Sequence, residues 1–381
     1  MEIKDTKQNW TLNVIARMFV GLVFVFSSFV KGVDPLGTAF KIEDYLTAWQ
    51  FGSLSFEWLE PATPFLSMLL ITLEFLVGVM LITGSFRRIT AWMLAAMMLF
   101  FTCTTLYDAI TNKVDDCGCF GDAIKLTNWQ TFWKNIILDV PTVWIVLTRN
   151  LRRKKRTERD MLVVIFSIVL IVIFGLFNIN NEPCIDFRPW KVGNQMVEMD
   201  ENLKVKSYLT YRNKTTGETE EFLSEDLMKR MEDPAWEEQW EWESSRVEDP
   251  HEIKADGFAM LDLEMADHAQ ELIVSDQYLM ITTLYNLEKL DEQAVRSLQR
   301  MRDFCDRNGI QMVLLSSVLP EQLQDFMHQN ELDDLEFFFA DATAIKTILR
   351  SNPGYMLMKE GKVIGKWHYK KARNVLDVEL N

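Results

Sequence analysis

Histidine is scarce. Only His251, His268, His328 and His368 occur in 381 residues, and no two are closely spaced. A zinc centre needs a tight set of nitrogen and sulfur ligands, which this pattern does not supply. Cysteine is nearly as rare, with five in all: Cys103, Cys117, Cys119, Cys184 and Cys305. Only Cys117 and Cys119 are near neighbours. The odd number leaves at least one thiol over if the rest pair, and the length excludes a small disulfide-stapled fold. Positive charge is also in deficit. There are 55 acidic residues against 40 Lys and Arg, a net charge of −15 at pH 7. Most of that excess lies in the second half, so nucleic acid and anionic phosphate surfaces are poor partners for it.

Apolar sequence is abundant, but in one half only. Residues before about 180 are rich in Leu, Ile, Val, Phe, Met and Trp, and those after about 190 in acidic residues, Lys, Asn and Gln. A spanning helix needs about 20 mostly apolar residues. Candidates are Thr11 to Val30, Pro64 to Thr83, Ile89 to Tyr107 and Met161 to Phe177; the last is 17 residues without a charge. The stretch Phe132 to Leu147 contains Lys134, Asn135, Asp139 and Pro141, so hydropathy leaves it open. Charge decides it. Seven basic residues fall between Arg149 and Arg159, and Arg87 and Arg88 separate the second and third candidates. Short basic loops stay on the cytoplasmic side. Both can do so only if one more span separates them, which gives five spans. The N-terminus is then inside. The acidic loop from Asp34 to Glu60, the loop from Ala109 to Thr131 and everything after about Asn178 are outside. The Ser28-Phe-Val-Lys-Gly segment lacks a small-x-small cleavage site, so the first span reads as retained rather than as a signal peptide.

After Asn180 comes a polar stem with two prolines, then Tyr208 to Phe222, which reads as a hairpin with a Gly-containing turn. Trp236, Trp240 and Trp242 follow, spaced for one helical face or one strand face but not both. Their simplest role is to pack a core or a membrane-facing side. From about Phe258, strands and helices alternate. Strands are expected at Tyr278 to Leu284, Met312 to Ser316 and Glu336 to Ala340. Helices are expected at Glu292 to Asn308, Glu321 to Gln329 and Ala344 to Arg350. A hairpin closes the chain, Gly354 to Lys359 and Lys362 to Tyr369 around Glu360-Gly361. This order implies a mixed sheet covered by helices.

That order, with Ile348-Leu-Arg-Ser-Asn-Pro-Gly-Tyr-Met-Leu-Met-Lys-Glu-Gly-Lys-Val, resembles the thioredoxin-like fold over 256–381. The resemblance makes Pro353 the proline that precedes the hairpin strands, often cis in that family. It also implies redox cysteines after the first core strand. Here that place reads Thr282-Thr-Leu-Tyr-Asn-Leu-Glu-Lys-Leu-Asp, without cysteine. Cys305 lies late in the next helix, on its apolar side, and reads as a small buried hydrophobe. The outer domain is therefore expected to be thioredoxin-like without thioredoxin chemistry, free to bind a partner.

The sharpest local motif is Asp115-Asp-Cys-Gly-Cys-Phe-Gly-Asp122. Gly118 permits the tight backbone that a bridge between Cys117 and Cys119 requires. A strained ring is easily reduced, and an exposed reducible pair suits thiol exchange. The neighbouring Asp115, Asp116 and Asp122 oppose thiolate formation. Cys184 follows the last span on the same side, and Cys103 sits one or two turns below it, so a relay of disulfide exchange is one reading. A static disulfide, such as one between Cys184 and the pair, is another, and two thiolates with a further metal ligand a third. Arg17, Glu74 and Asp139 fall inside the spans. Charges there are costly and face a partner or a water-filled cavity, so Glu74 or Asp139 is expected to pair with Arg17.

Phe29-Val-Lys-Gly-Val-Asp-Pro, Leu73-Glu-Phe-Leu-Val-Gly-Val-Met-Leu-Ile-Thr-Gly and Asp116-Cys-Gly-Cys-Phe-Gly-Asp together resemble the DoxX-like group, and within it the MauE-type membrane proteins. The resemblance implies a four-helix membrane bundle connected with electron transfer, thiol redox balance or maturation of exported disulfide proteins. A fifth span joined to a thioredoxin-like domain resembles an arrangement of Bacteroidetes-type bacteria. The expected division is a four-helix membrane domain at 1–150, a basic loop and fifth helix at 151–180, a stem and β-rich segment at 181–255, and the thioredoxin-like domain at 256–381. The expected setting is a bacterial inner membrane with the C-terminal domain periplasmic, and the partners are the lipid bilayer and an envelope protein. The expected activity is membrane-linked thiol–disulfide or electron transfer by Cys117 and Cys119, with Cys184 as relay. No residue pattern identifies a cofactor, although a quinone in the bundle would serve as electron partner. The rival function is a non-catalytic scaffold that binds through the Trp-rich segment. Transport through Glu74, Asp139 and Arg17 is least favoured, since no internal repeat supports it.

Overall fold

The computed structural model describes residues 6–48, 56–114, 118, 120–124, 126–151, 157–200, 203–231, 234–255 and 257–372. Cys117 and Cys119 lie outside the described residues. The chain forms two compact units, Met1–Arg188 and Pro189–Asn381.

The first unit is helical: α1 (Lys7–Val33), α2 (Pro35–Ala48), α3 (Thr63–Thr83), α4 (Arg87–Thr111), α5 (Asn128–Leu147) and α6 (Thr157–Ile179). Among the described residues, four stretches are long and apolar enough to cross a bilayer: Lys7–Val33, Trp58–Thr83, Arg87–Thr111 and Thr157–Ile179. The remaining long helix, α5, starts on a capping box in which Thr127 and Gln130 satisfy each other's backbone N–H groups. It runs the length of the bundle. At one end the Asn128 side chain donates to the Val114 carbonyl (2.9 Å), and at the other Asn13 donates to the Thr148 hydroxyl (2.6 Å). Its polar residues face α4: Asn135 donates to the Thr105 hydroxyl (3.0 Å) and Asp139 accepts from the Thr102 hydroxyl (2.9 Å). Arg87, Arg88 and Arg159 lie at one end of the bundle. There Arg87 donates to the Leu151 carbonyl (2.8 Å), Arg88 to the Asn150 side chain (3.1 Å) and Arg159 to the Thr83 carbonyl (2.9 Å).

The tightest helix contact is between α1 and α3. A Cβ on Gly78 would lie 2.9 Å from the Val25 nitrogen and 3.0 Å from the Gly21 carbonyl oxygen. Backbone approach of this kind is how small residues hold membrane helices together. The segment after α1, expected as an acidic loop, is helical over Pro35–Ala48. Asp34 starts it by accepting the Gly37 N–H at 2.9 Å, with Pro35 at the first helical position.

The second unit holds two sheets. β1 (Lys206–Asn213) and β2 (Thr219–Leu223) form the expected hairpin, followed by α7 (Ser224–Arg230), α8 (Pro234–Gln239) and β3 (Trp240–Glu248). These strands pair antiparallel in the order β2-β1-β3. After α9 (Ala269–Val274) come β4 (Leu279–Leu284), α10 (Glu292–Asn308), β5 (Gln311–Ser316), α11 (Pro320–Gln329), β6 (Glu336–Phe339), α12 (Ala342–Ile348), β7 (Gly354–Lys359) and β8 (Lys362–His368). The sheet order is β6-β5-β4-β7-β8. β4, β5 and β6 are parallel, and β7 and β8 antiparallel to their neighbours. Every residue of β4 is buried, which is why that strand reads as a near-continuous apolar run rather than an alternating one. α10 begins where Asp291 accepts the Ala294 N–H and ends at Gly309 in the left-handed region (φ 63°). The Asn352–Pro353 peptide is cis and leads into β7. This is the thioredoxin-like order, with helices on both faces.

The polypeptide just after Pro189 belongs to this unit's core. Trp190, Met196 and Val197 are buried with Phe258, Ile281 and Met356. The Met196 N–H donates to the Gly361 carbonyl (2.7 Å) and the Gly193 N–H to the Val363 carbonyl (2.8 Å).

Candidate functional site

Inside the bundle the charges do not pair as expected. Glu74 of α3 meets Lys31 of α1, Nζ to Oε1 2.6 Å, with both side chains buried. Ser27 joins them, donating to the other Glu74 oxygen (3.0 Å) and accepting from Lys31 (3.2 Å). The Lys31 ammonium also lies 5.7 Å from the Phe101 ring centroid. Arg17 pairs with neither Glu74 nor Asp139. Its guanidinium donates to the Leu81 carbonyl (2.8 Å) and reaches that of Ile82 (3.4 Å). These are among the last carbonyls of α3, which lack helical donors and carry the negative end of the helix dipole. Asp139 is satisfied by Thr102. The three intramembrane charges are therefore not brought together. The apolar run ends at Val30 and leaves Lys31 outside the expected span, whereas α1 continues to Val33. The spacing of four between Ser27 and Lys31 is the available signal.

The residues flanking the cysteine pair fold over the C-terminal end of α1. Gly118 has φ 59°, where glycine is favoured, and a Cβ there would lie 3.2 Å from Lys41 Cγ of α2. The Gly121 N–H donates to the Gly118 carbonyl (3.0 Å), and a Cβ on Gly121 would touch Val30 at 3.4 Å. Phe120 packs on Phe26 (5.6 Å between centroids), and the Lys134 ammonium sits 4.6 Å from the Phe120 centroid.

Cys184 is brought to the same end. Asn178 of α6 donates to the Gly32 carbonyl of α1 (3.0 Å), while its carbonyl oxygen accepts the Cys184 N–H (3.0 Å). The exposed Cys184 thiol is held in a loop fastened by Arg188, which binds Asp186 (2.7 Å) and Glu182 (3.2 Å). Burial works against the Arg188 charge, but the Asp186 hydrogen bond and the charges of Asp186, Glu182 and Asp34 more than offset it and raise its pKa. Cys103 is exposed on α4, and no disulfide joins the described cysteines.

Below Gly118 lies an apolar cavity of about 290 Å³ between α1, α2, α3 and α4. Its walls include Leu46, Leu70, Phe100 and Phe101, with Lys31, Lys41, Tyr45, Thr38, Thr104 and Thr105 as polar groups. Tyr45 donates to Asp108 at 2.6 Å. Asp108 is fully buried, and its other oxygen has no partner among the described residues.

In the second unit, the loop between β4 and α10 is tied to the cis-proline turn by one side chain. The Asn352 carbonyl oxygen accepts the Tyr285 N–H (2.8 Å) and the Asn286 N–H (3.2 Å), and its amide donates to the Asn286 carbonyl (2.6 Å). Thioredoxin-like proteins place their redox cysteines there; here hydrogen bonds join the two segments. Cys305 is fully buried, as expected, and burial pushes its thiol up to about 12. The tryptophans split between helix and strand. Trp236 of α8 stacks on Trp240 at the start of β3 (6.0 Å, 15°) within a cluster containing Tyr211 and Phe222, whereas Trp242 is 58% exposed.

Residues 9–148 match the family of the methylamine utilisation protein MauE. Protein TlpB of Flavobacterium psychrophilum is 26% identical over 172 residues, 44% of this chain and 40% of that protein. The chain thus spans about 40% of the length of the curated relative it matches. A solved thiol:disulfide interchange protein from Bacteroides sp. is similar over 32% of this chain and 84% of its own, at 12% identity and a TM-score of 0.25. The thioredoxin-like character of the second unit lies in its strand order, β6-β5-β4-β7-β8. The chain is a membrane protein whose helical part resembles the MauE family over residues 9–148 and is joined to a unit of thioredoxin-like strand order with no cysteine after its first core strand.

Proposed function

We propose that the protein carries out thiol–disulfide exchange at the outer face of a bacterial inner membrane and passes the electrons into the bundle. Cys117 and Cys119 are the exchanging pair, and Cys184 is the relay thiol. The observation that carries this reading is the convergence on the end of α1: Gly121 packs on Val30, and Asn178 ties the Cys184 loop to Gly32. In this reading the basic end of the bundle is cytoplasmic and the opposite end, with the second unit, is periplasmic. The thioredoxin-like unit binds an envelope partner and brings its thiols to the pair.

The test replaces Cys117, Cys119 and Cys184 singly with serine and reads the thiol state of exported proteins in intact cells. Loss of either member of the pair shifts their oxidised-to-reduced ratio with normal levels of the variant, and loss of Cys184 slows exchange without abolishing it. An unchanged ratio in both the Cys117→Ser and Cys119→Ser strains contradicts the proposal.

A further inference from the structure

We infer that the cavity between α2 and α4 binds the ring of a lipid-soluble quinone, which accepts the electrons of the proposed dithiol; the inference rests on that reading of Cys117 and Cys119. An apolar cavity of about 150 Å³ holds a benzene ring, so about 290 Å³ admits a substituted ring with the start of a chain. Phe100 and Phe101 supply aromatic wall, and Phe100, 53% exposed on a membrane-spanning helix, puts the opening towards lipid. A ligand from the aqueous phase would have to cross that apolar surface, whereas one dissolved in the bilayer would not. A saturated acyl chain would fill the apolar part but leave the polar wall without purpose.

The polar wall is what selects a carbonyl-bearing ring. The Lys31 ammonium, charge-compensated by Glu74, lines the space together with Lys41 and the hydroxyls of Thr38, Thr104 and Thr105, while the Tyr45 hydroxyl there donates its hydrogen bond to Asp108. Quinone oxygens accept hydrogen bonds and gain negative charge on reduction, which a cation at the wall favours. Asp108, which accepts the Tyr45 hydrogen bond, has a second, fully buried oxygen without a partner among the described residues. Gly118 also lines the cavity, so the residue between the two cysteines borders the same space as the acceptor. The step balances. Two S–H bonds break and one S–S bond forms; two electrons and two protons pass to the quinone, whose two carbonyl oxygens become hydroxyls.

The experiment uses the full chain in quinone-free phosphatidylcholine nanodiscs, titrated with a benzoquinone bearing one isoprenoid unit and followed by tryptophan fluorescence. Saturable quenching is expected, with Kd raised at least tenfold by Leu46→Trp, which fills the cavity. A photoactivatable azidoquinone in the wild-type chain should label the segments around Tyr45 and Phe101, a result that does not depend on how the variant folds. Quenching that never saturates, or labelling confined to other segments, overturns the assignment, as does competition by saturated-chain phospholipid equal to that by quinone. The Cys117→Ser/Cys119→Ser double variant separates the two proposals, because it should bind quinone with unchanged Kd. Binding without reduction by the wild-type dithiol upholds the cavity and refutes the thiol reading. Thiols that exchange in a chain that binds no quinone refute the cavity alone.

Discussion

A lysine and a glutamate buried in a membrane bundle are tolerable only together. Lys31 and Glu74 are each desolvated, and their 2.6 Å contact and the Ser27 hydroxyl compensate for that loss. Lys31→Met alone leaves an uncompensated carboxylate and is expected to cost about 3–5 kcal/mol of stability. Lys31→Met combined with Glu74→Leu should recover most of that loss. Reversible unfolding in mixed micelles, arranged as a double-mutant cycle, checks this; equal losses in the single and double variants would contradict the pairing. The cost of the charges was legible in the sequence, because Glu74, Arg17 and Asp139 interrupt apolar runs. Their partners were not. Pairing depends on which helix faces which, and the rule that opposite charges in a membrane seek each other ignores the carbonyls at a helix end, which Arg17 takes instead.

At the scale of elements, small residues decide how close the helices come. Gly78→Ala places a methyl group against the Val25 nitrogen and the Gly21 carbonyl, which cannot yield without separating α1 from α3. A loss of roughly 1–3 kcal/mol is expected, as for overpacked cores. Gly175→Ala offers the contrast. Its added methyl meets the Met68 side-chain tip at 2.6 Å, a flexible group that can turn aside, so its effect should be small. Thermal unfolding of the two variants in the same detergent compares them, and equal destabilisation would contradict this account. The regular elements of the second unit were readable because each has a single periodicity: α10 spans Glu292–Asn308, the range expected, and the β7–β8 hairpin turns at Glu360-Gly361. α2 is not legible in the sequence because its acidic and basic residues read as loop and the signals that start it, Asp34 and Pro35, are only two residues. α5 was ambiguous by hydropathy alone. Asn135 and Asp139 are satisfied by Thr105 and Thr102 on α4, a compensation that no single-helix average can register.

For the whole molecule, the consequence of α5 running end to end is a topology. In the proposed topology α5 is a fifth traversing helix, with Arg87, Arg88 and Arg159 at one end and the Cys184 loop, Gly118 and Gly121 at the other. Fusions of a reporter active only in the cytoplasm should be active at Asn150, and fusions of one active only outside should be active at Asn180. The reverse pattern, or activity of the same reporter at both positions, would contradict five spans in the proposed orientation. The spanning helices were legible in the sequence as long apolar runs. What it did not carry was proximity. That Gly121 rests on Val30, that Asn178 reaches Gly32, and that a cavity opens beside Gly118 are products of folding that no local pattern encodes.

The central claim is that Cys117 and Cys119 form a labile pair outside the membrane. Its most direct test is thiol labelling of intact cells with a membrane-impermeant maleimide, before and after mild reduction, with Cys117, Cys119 and Cys184 read separately by mass spectrometry. The account predicts that Cys117 and Cys119 react only after mild reduction. Free thiols at all times, or a bridge that resists reduction until the protein unfolds, would contradict it.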